Sequence, residues 1–149
     1  VSYVSLARHW LEGRPDLAIS GTWSPLFVWL LAALIGVAGE VPVALRLAMA
    51  ASGLAFLLAC LAIYRRVDDR RIARLAAVLT AAFAALFTGT LVTPDLLSAA
   101  LFLYGFHVFL RHGLADVRGA LAAGALFGLA FLAKSVMLPV AVGSLVVLA

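Results

Sequence analysis

Charge is what this chain has least of. Asp, Glu, Lys and Arg make up 12% of its 149 residues, 66% are hydrophobic, and the mean hydropathy is +1.16. Soluble domains are about a quarter charged, so the composition implies a membrane class. Cysteine occurs once, at Cys60, inside an apolar run. That excludes an intramolecular disulfide and a cysteine-based metal site, and Cys60 reads as a small buried apolar side chain. No phosphate-cradling Gly-rich loop with Lys-Ser/Thr occurs, and no Gly-x-Ser-x-Gly elbow. Nucleotide hydrolysis and serine-hydrolase chemistry therefore lack support. His9, His107 and His112 include no pair at the i, i+4 spacing of a zinc helix. There is no initiator Met and no signal peptide. The chain opens on Val1 in amphipathic sequence and stops at Ala149 inside an apolar run, so a fragment of a longer multi-span protein is expected.

Positive charge is present and unevenly placed. The net charge of +4 and pI near 10 would suggest nucleic acid for a soluble protein. Here the arginines cluster in short loops between apolar runs, the pattern that orients membrane proteins, and no nucleic-acid partner is expected. Arginine dominates, with Lys134 the one lysine, and Ala and Leu are abundant. This is the composition of a GC-rich bacterial genome, and the expected location is the inner membrane, crossed several times.

The pattern predicts an all-α polytopic bundle with an external amphipathic helix. Val1 to Gly13 places Val1, Val4, Ala7 and Leu11 on one face, with Ser5, Arg8, His9 and Glu12 polar. Tyr3 and Trp10 suit the headgroup layer. Arg14 to Trp23 reads as loop. Pro25 to Ala38 is apolar over about 14 residues, short of the roughly 20 that span a bilayer. It is an interfacial or re-entrant helix, or a thin span extended back to Thr22. After the break at Gly39–Pro42, Val43 to Tyr64 is a span. Arg65 to Arg74 holds five arginines and is assigned to the cytoplasm. Leu75–Val92 then runs outward, Leu96–Leu110 inward and Gly119–Ala133 outward, with a second basic loop at Arg111–Arg118. Pro139 breaks or kinks the chain beyond Lys134, and Val140–Ala149 begins another segment. Residues 1–40 are an external juxtamembrane unit if Pro25–Ala38 does not cross, and the amphipathic helix is cytoplasmic if it does; residues 41–149 are membrane helices of the same domain.

Within residues 41–149, three charged residues fall on the predicted outer side. Asp95 is the only charged side chain between Leu75 and Leu110. A carboxylate at the bilayer centre costs a few kcal/mol or more, so Thr93-Pro94-Asp95 marks a surfacing point. Thr93 as N-cap, Pro94 at N1 and Asp95 at N2 would explain it as a helix start. A role in binding substrate or a divalent cation is the other reading, and the two can coexist. Lys134 either snorkels, or pairs with a lipid phosphate or with Asp95. Arg46 either pairs with Glu40 or faces the same outer surface. His107 is expected to hydrogen-bond a neighbouring helix, and Gly124-Ala125-Leu126-Phe127-Gly128 to mark close helix packing.

Several of these pieces, in this order, resemble the GT-C-type glycosyltransferases of the protein O-mannosyltransferase and aminoarabinose-transferase-like kind. Tyr3-Val4-Ser5-Leu6-Ala7-Arg8 with Leu11-Glu12-Gly13 is similar to their first external loop. Trp23-Ser24-Pro25-Leu26 resembles a Pro-Pro-Leu segment, with Ser for the first Pro. Ala44-Leu45-Arg46-Leu47, Leu91-Val92-Thr93-Pro94-Asp95 and the run Gly124 to Lys134 resemble later motifs. The resemblance implies transfer of a sugar from a polyprenyl phosphate to a glycan, lipid or protein acceptor on the non-cytoplasmic face. It makes Asp95, Lys134 and Arg46 the candidate substrate-binding residues, with Lys134 and Arg46 toward the phosphate. It places the catalytic acid shortly before the Tyr that Tyr3 resembles, so this chain is expected to lack its own general base. Glu12 and Asp16 share that loop but not the motif position. A transporter or permease, or a non-catalytic scaffold, are the alternatives.

Overall fold

The computed structural model describes residues 2–19, 23–113 and 116–148, which form eight helices and no strand among the described residues. Val1, Thr22 and Ala149 lie outside the described residues, as do Leu114 and Ala115 of the second basic loop. The helices are α1 (Tyr3–Leu11), α2 (Pro15–Ala18), α3 (Pro25–Ala38), α4 (Val41–Tyr64), α5 (Arg70–Thr90), α6 (Asp95–His112), α7 (Val117–Ala133) and α8 (Met137–Leu148).

Local chemistry sets most of these boundaries. Ser24 Oγ accepts the Phe27 N–H at 3.2 Å, and Pro25 fills the first helical position of α3, where its missing donor costs nothing. Gly39 ends α3 in the left-handed conformation (φ 71°), and Pro42 then sits at the start of α4. Asp69 accepts from the N–H groups of Arg71 and Ile72 to cap α5, and Asp116 caps α7 through Arg118 N–H.

Two helices, α4 and α5, are long and apolar enough to cross a membrane; α3 and α7 are shorter apolar helices. At 1.5 Å per residue α4 is about 36 Å long and α3 about 21 Å, the latter short of a hydrocarbon core of about 30 Å. A tight core joins α1, α3 and the first half of α4 around Leu6, Phe27, Val28, Leu31, Ala48 and Met49. Phe27 is wholly buried, a burial that contributes about 1.5–3 kcal/mol. This core crosses the division between residues 1–40 and 41–149. Elsewhere most of the buried residues are small, Leu96 being an exception. Ser52, Gly53, Ser98, Ala100, Gly105, Ala123 and Ala130 let α4, α5, α6 and α7 approach closely.

The structure corrects several expectations. The stretch after Gly13 is not all loop, because Pro15 and Asp16 start the short helix α2. Pro139 does not break α8. It lies in the first turn, whose N–H groups have no intrahelical acceptor in any case. A Cβ added at Gly124 or Gly128 would meet nothing within 4 Å, so that pair does not pack against another helix here. Close approaches occur instead at Gly105, where a Cβ would come within 3.0 Å of the Phe127 ring, at Gly53, 2.7 Å from Thr88 Cγ2, and at Gly119, against the His112 side chain. His107 Nδ1 is buried without a hydrogen-bond partner; only its backbone carbonyl is engaged, by Arg66 Nη2 at 3.4 Å. His112 belongs to the last turn of α6 rather than to a loop, and Nδ1 meets Asp116 Oδ2 at 2.8 Å.

The bundle has two chemically distinct ends. The α4–α5 and α6–α7 connections lie at one end, tied by the Arg66 contact to α6. This arginine end carries Arg65, Arg66, Arg70, Arg71, Arg74, Arg111 and Arg118 against Asp68, Asp69 and Asp116, the whole net charge of the chain. The start of α6 and the end of α7 meet at the other.

Candidate functional site

Four segments far apart in sequence meet at that second end. They enclose a cleft of about 350 Å³ lined by Tyr3, Ser24, Asp95 and Lys134, with Trp23 and Phe131 among its apolar walls. Each segment is placed by local structure. Tyr3 opens α1, and its ring packs edge-on against Trp23 and Phe27 with centroids 4.7 and 4.9 Å away. Ser24 caps α3 and also donates to the Leu132 carbonyl at 3.2 Å, which fastens the α3 start to the end of α7.

Helix α6 starts one residue later than the expected Pro94. Buried Pro94 is the N-cap, Asp95 is the first helical residue, and its N–H donates to Thr93 Oγ1 at 3.4 Å. Lys134 is the residue on which α7 stops, with extended backbone (φ −160°, ψ 119°). From there its ammonium reaches the Asp95 carboxylate and forms an ion pair. The pairing of these two residues, one of the alternatives open from sequence, is thus observed.

The pair is not a buried staple. The Lys134 and Asp95 side chains are 44% and 38% exposed, and such pairs contribute about 0–1 kcal/mol to stability. Its position suits contact with a solute: a lone ammonium and a lone carboxylate at the mouth of a cleft with hydroxyls and an apolar wall. Tyr3 shares this electrostatic environment. Burial raises its phenol above the ordinary value of 10.0; a backbone hydrogen bond at Ser24 lowers it, the Asp95 carboxylate raises it and Lys134 lowers it. Tyr3 is therefore a neutral hydroxyl at physiological pH, able to donate to an anionic ligand.

Arg46 does not join them. It is exposed in the second turn of α4, does not line the cleft, and makes no ion pair with Glu40. Glu12 and Asp16 are also outside the cleft. The Arg14 guanidinium beside Glu12, with His9, holds the Glu12 carboxyl below its usual range. No all-protein cage for a divalent cation forms among the described residues. Asp95 is the one carboxylate lining the cleft, and no three His, Cys, Asp or Glu side chains converge anywhere among the described residues.

Tyr3 and Ser24 are the site residues that residue-by-residue reading misses. Tyr3 reads as an interfacial aromatic, and Ser24 has no separate reading beside the helix start at Pro25. Only their places in the resembling motifs marked them. Residues 22–149 match the family model described as dolichyl-phosphate-mannose-protein mannosyltransferase, so Ser24, Asp95 and Lys134 lie within the matched stretch and Tyr3 ahead of it. No curated protein and no solved structure matches the chain.

Proposed function

The chain belongs to the dolichyl-phosphate-mannose-protein mannosyltransferase family, a family of membrane glycosyltransferases, and from that premise we propose that its cleft receives the phosphate and sugar of a polyprenyl-phosphate-linked donor. The observation that carries this reading is the Asp95–Lys134 pair, exposed at the mouth of a cleft that also presents Tyr3 and Ser24.

In the transfer, an acceptor hydroxyl or amine attacks the anomeric carbon. The bond from that carbon to the phosphate oxygen breaks, and polyprenyl phosphate leaves with the bonding electrons. Negative charge grows on the phosphate as it departs. A fixed ammonium at that point stabilises the transition state more than the ground state, which is the role of Lys134. Asp95 is a positioning residue: it holds the flexible lysine side chain at the cleft mouth and repels a second anion. The Tyr3 hydroxyl orients phosphate or sugar oxygens, and Trp23 and Phe131 form a wall for the first isoprene units.

Asp95 is paired with Lys134 and is not the general base. The proton of the acceptor passes to a carboxylate acting as general base, a role taken by none of the residues that line the cleft. The arginine end faces the cytoplasm, so the cleft opens on the non-cytoplasmic side, where a glycan, lipid or protein acceptor is met. Arg46 has no part in this reading.

The test is equilibrium binding of a short-chain polyprenyl phosphate, without sugar, to the full-length protein in detergent. Lys134→Ala should weaken binding about tenfold or more, the loss of one charge-assisted hydrogen bond. Equal binding by wild type and Lys134→Ala would remove the phosphate from this cleft.

A further inference from the structure

The arginine end carries a second polar recess that the sugar-transfer reading does not use. It lies where α4 hands over to α5 and is lined by Tyr64, Arg65, Val67, Asp68, Arg70 and Arg74. Arg65, Arg70 and Arg74 are exposed, and none makes an ion pair among the described residues. Nearby, Asp69 Oδ1 accepts from the Arg71 and Ile72 N–H groups at the α5 N-cap, and Asp69 does not line the recess. Three guanidinium groups therefore face one carboxylate, Asp68. The recess has an excess of positive charge and a surplus of donors. Tyr64 is held at its edge by a 2.8 Å hydrogen bond with Thr80, which also braces α4 against α5.

Two further features say what kind of anion fits. The recess joins the two helices that are long and apolar enough to cross a membrane, so when they span, it sits at the membrane surface. One turn beyond Arg74 lies Val78, from which an apolar track continues around α5. Ile72, Leu75, Val78, Leu79 and Leu86 of α5 are each more than half exposed, and α5 packs mainly on α4. Residues 72, 75, 79 and 86 follow helical spacing, and from 72 to 86 the track runs about 21 Å along the helix. A soluble anion would use the guanidinium groups alone. An amphiphile would use both the charged recess and the apolar track.

We propose that the recess formed by Arg65, Arg70 and Arg74 binds the phosphate headgroup of an anionic phospholipid, whose acyl chains lie along the exposed face of α5. The site is distinct from the Asp95–Lys134 cleft and lies at the opposite end of the bundle. Occupancy would anchor the arginine end at the anionic leaflet through a specific lipid as well as through general attraction.

The test uses the full-length protein in nanodiscs of phosphatidylcholine containing a minor fraction of phosphatidylglycerol. After transfer to detergent, the retained lipids are counted by native mass spectrometry. Wild type should retain phosphatidylglycerol in preference to phosphatidylcholine. Arg70→Gln should lower that preference about fivefold, the worth of one arginine near a membrane surface, and the Arg65→Gln/Arg70→Gln/Arg74→Gln variant should abolish it. Leu75→Ser/Leu79→Ser should also reduce it, because the track is part of the site. Arg8→Gln/Arg14→Gln, which removes charges away from the recess, should leave it unchanged, and circular dichroism checks that every variant is folded. Unchanged preference in the folded triple variant would overturn the proposal. So would equal loss with the Arg8/Arg14 control, which would mean non-specific attraction. Full competition by inorganic phosphate at the same concentration, with no effect of the Leu75/Leu79 change, would identify a soluble-anion site and also overturn it.

Discussion

Replacing Lys134 by alanine separates a role in chemistry from a role in folding, because the structure assigns very different magnitudes to the two. The ion pair with Asp95 is 44% and 38% exposed, so its loss should cost at most about 1 kcal/mol of stability. Lys134 terminates α7 through its backbone, and the N–H bond to the Ala130 carbonyl does not depend on the side chain. The cost to transfer should be larger. A hydrogen bond between an ammonium and a phosphate is worth about 1.5–3 kcal/mol, or roughly a tenfold to hundredfold loss in kcat/KM for the lipid-linked donor. The assay is sugar transfer from a polyprenyl-phosphate donor by full-length protein in liposomes, paired with thermal unfolding of the same preparation. Asp95→Asn supplies the companion measurement. It leaves the ammonium in place but frees a side chain with about 2 kcal/mol of rotamer entropy, so kcat should fall more than KM rises. Transfer by folded Lys134→Ala within twofold of wild type would refute the reasoning, as would a large loss of stability with no specific loss of rate.

Two other outcomes come from the packing and the cleft. Gly105→Leu should destabilise the fold by about 1–3 kcal/mol, because even a Cβ there would press on the Phe127 ring. Gly124→Leu, where nothing lies within 4 Å, should be close to neutral in thermal unfolding; equal losses at the two sites would contradict the α6–α7 register. Tyr3 should ionise above pH 10.0, since burial disfavours its phenolate. Its contribution to stability should be complete below pH 10 and lost as pH rises through the raised folded value. A phenolate absorbance titration, with Tyr3→Phe subtracted from wild type, reads this directly, and ionisation of Tyr3 below pH 10 would place it outside the cleft.

Much of the fold is legible because this chain is built from long apolar runs interrupted by strong local signals. Pro25 and Gly39 bound α3 as the sequence suggests, whereas α5 and α7 start before the expected Leu75 and Gly119, at Arg70 and Val117, because Asp69 and Asp116 cap them through short-range hydrogen bonds. Contacts between distant segments are less accessible. Nothing in the spacing of Gly124 and Gly128 distinguishes them from Gly53 and Gly105, and only the rotation of α6 and α7 about their axes decides which glycines meet a neighbour. His107 is expected from sequence to find a partner across helices, yet its Nδ1 is buried where none is offered. In the cleft, the scarcity of charge singles out Asp95 and Lys134, and topology alone puts them on one side. Arg46 looks equivalent by the same reasoning, but its position in α4 keeps it out of the cleft. Tyr3 and Ser24 enter only through tertiary packing, across more than 90 residues to Asp95 and Leu132 respectively.

The most direct test of the account is the sidedness of three positions in the full-length protein. Single cysteines at positions 69, 95 and 134, in a Cys60→Ala background, are exposed to a membrane-impermeant maleimide added outside intact cells. Positions 95 and 134 should both label, and position 69 only after the membrane is opened. Labelling of 95 and 134 from opposite faces, or of 69 from outside, would contradict a non-cytoplasmic cleft built on the Asp95–Lys134 pair.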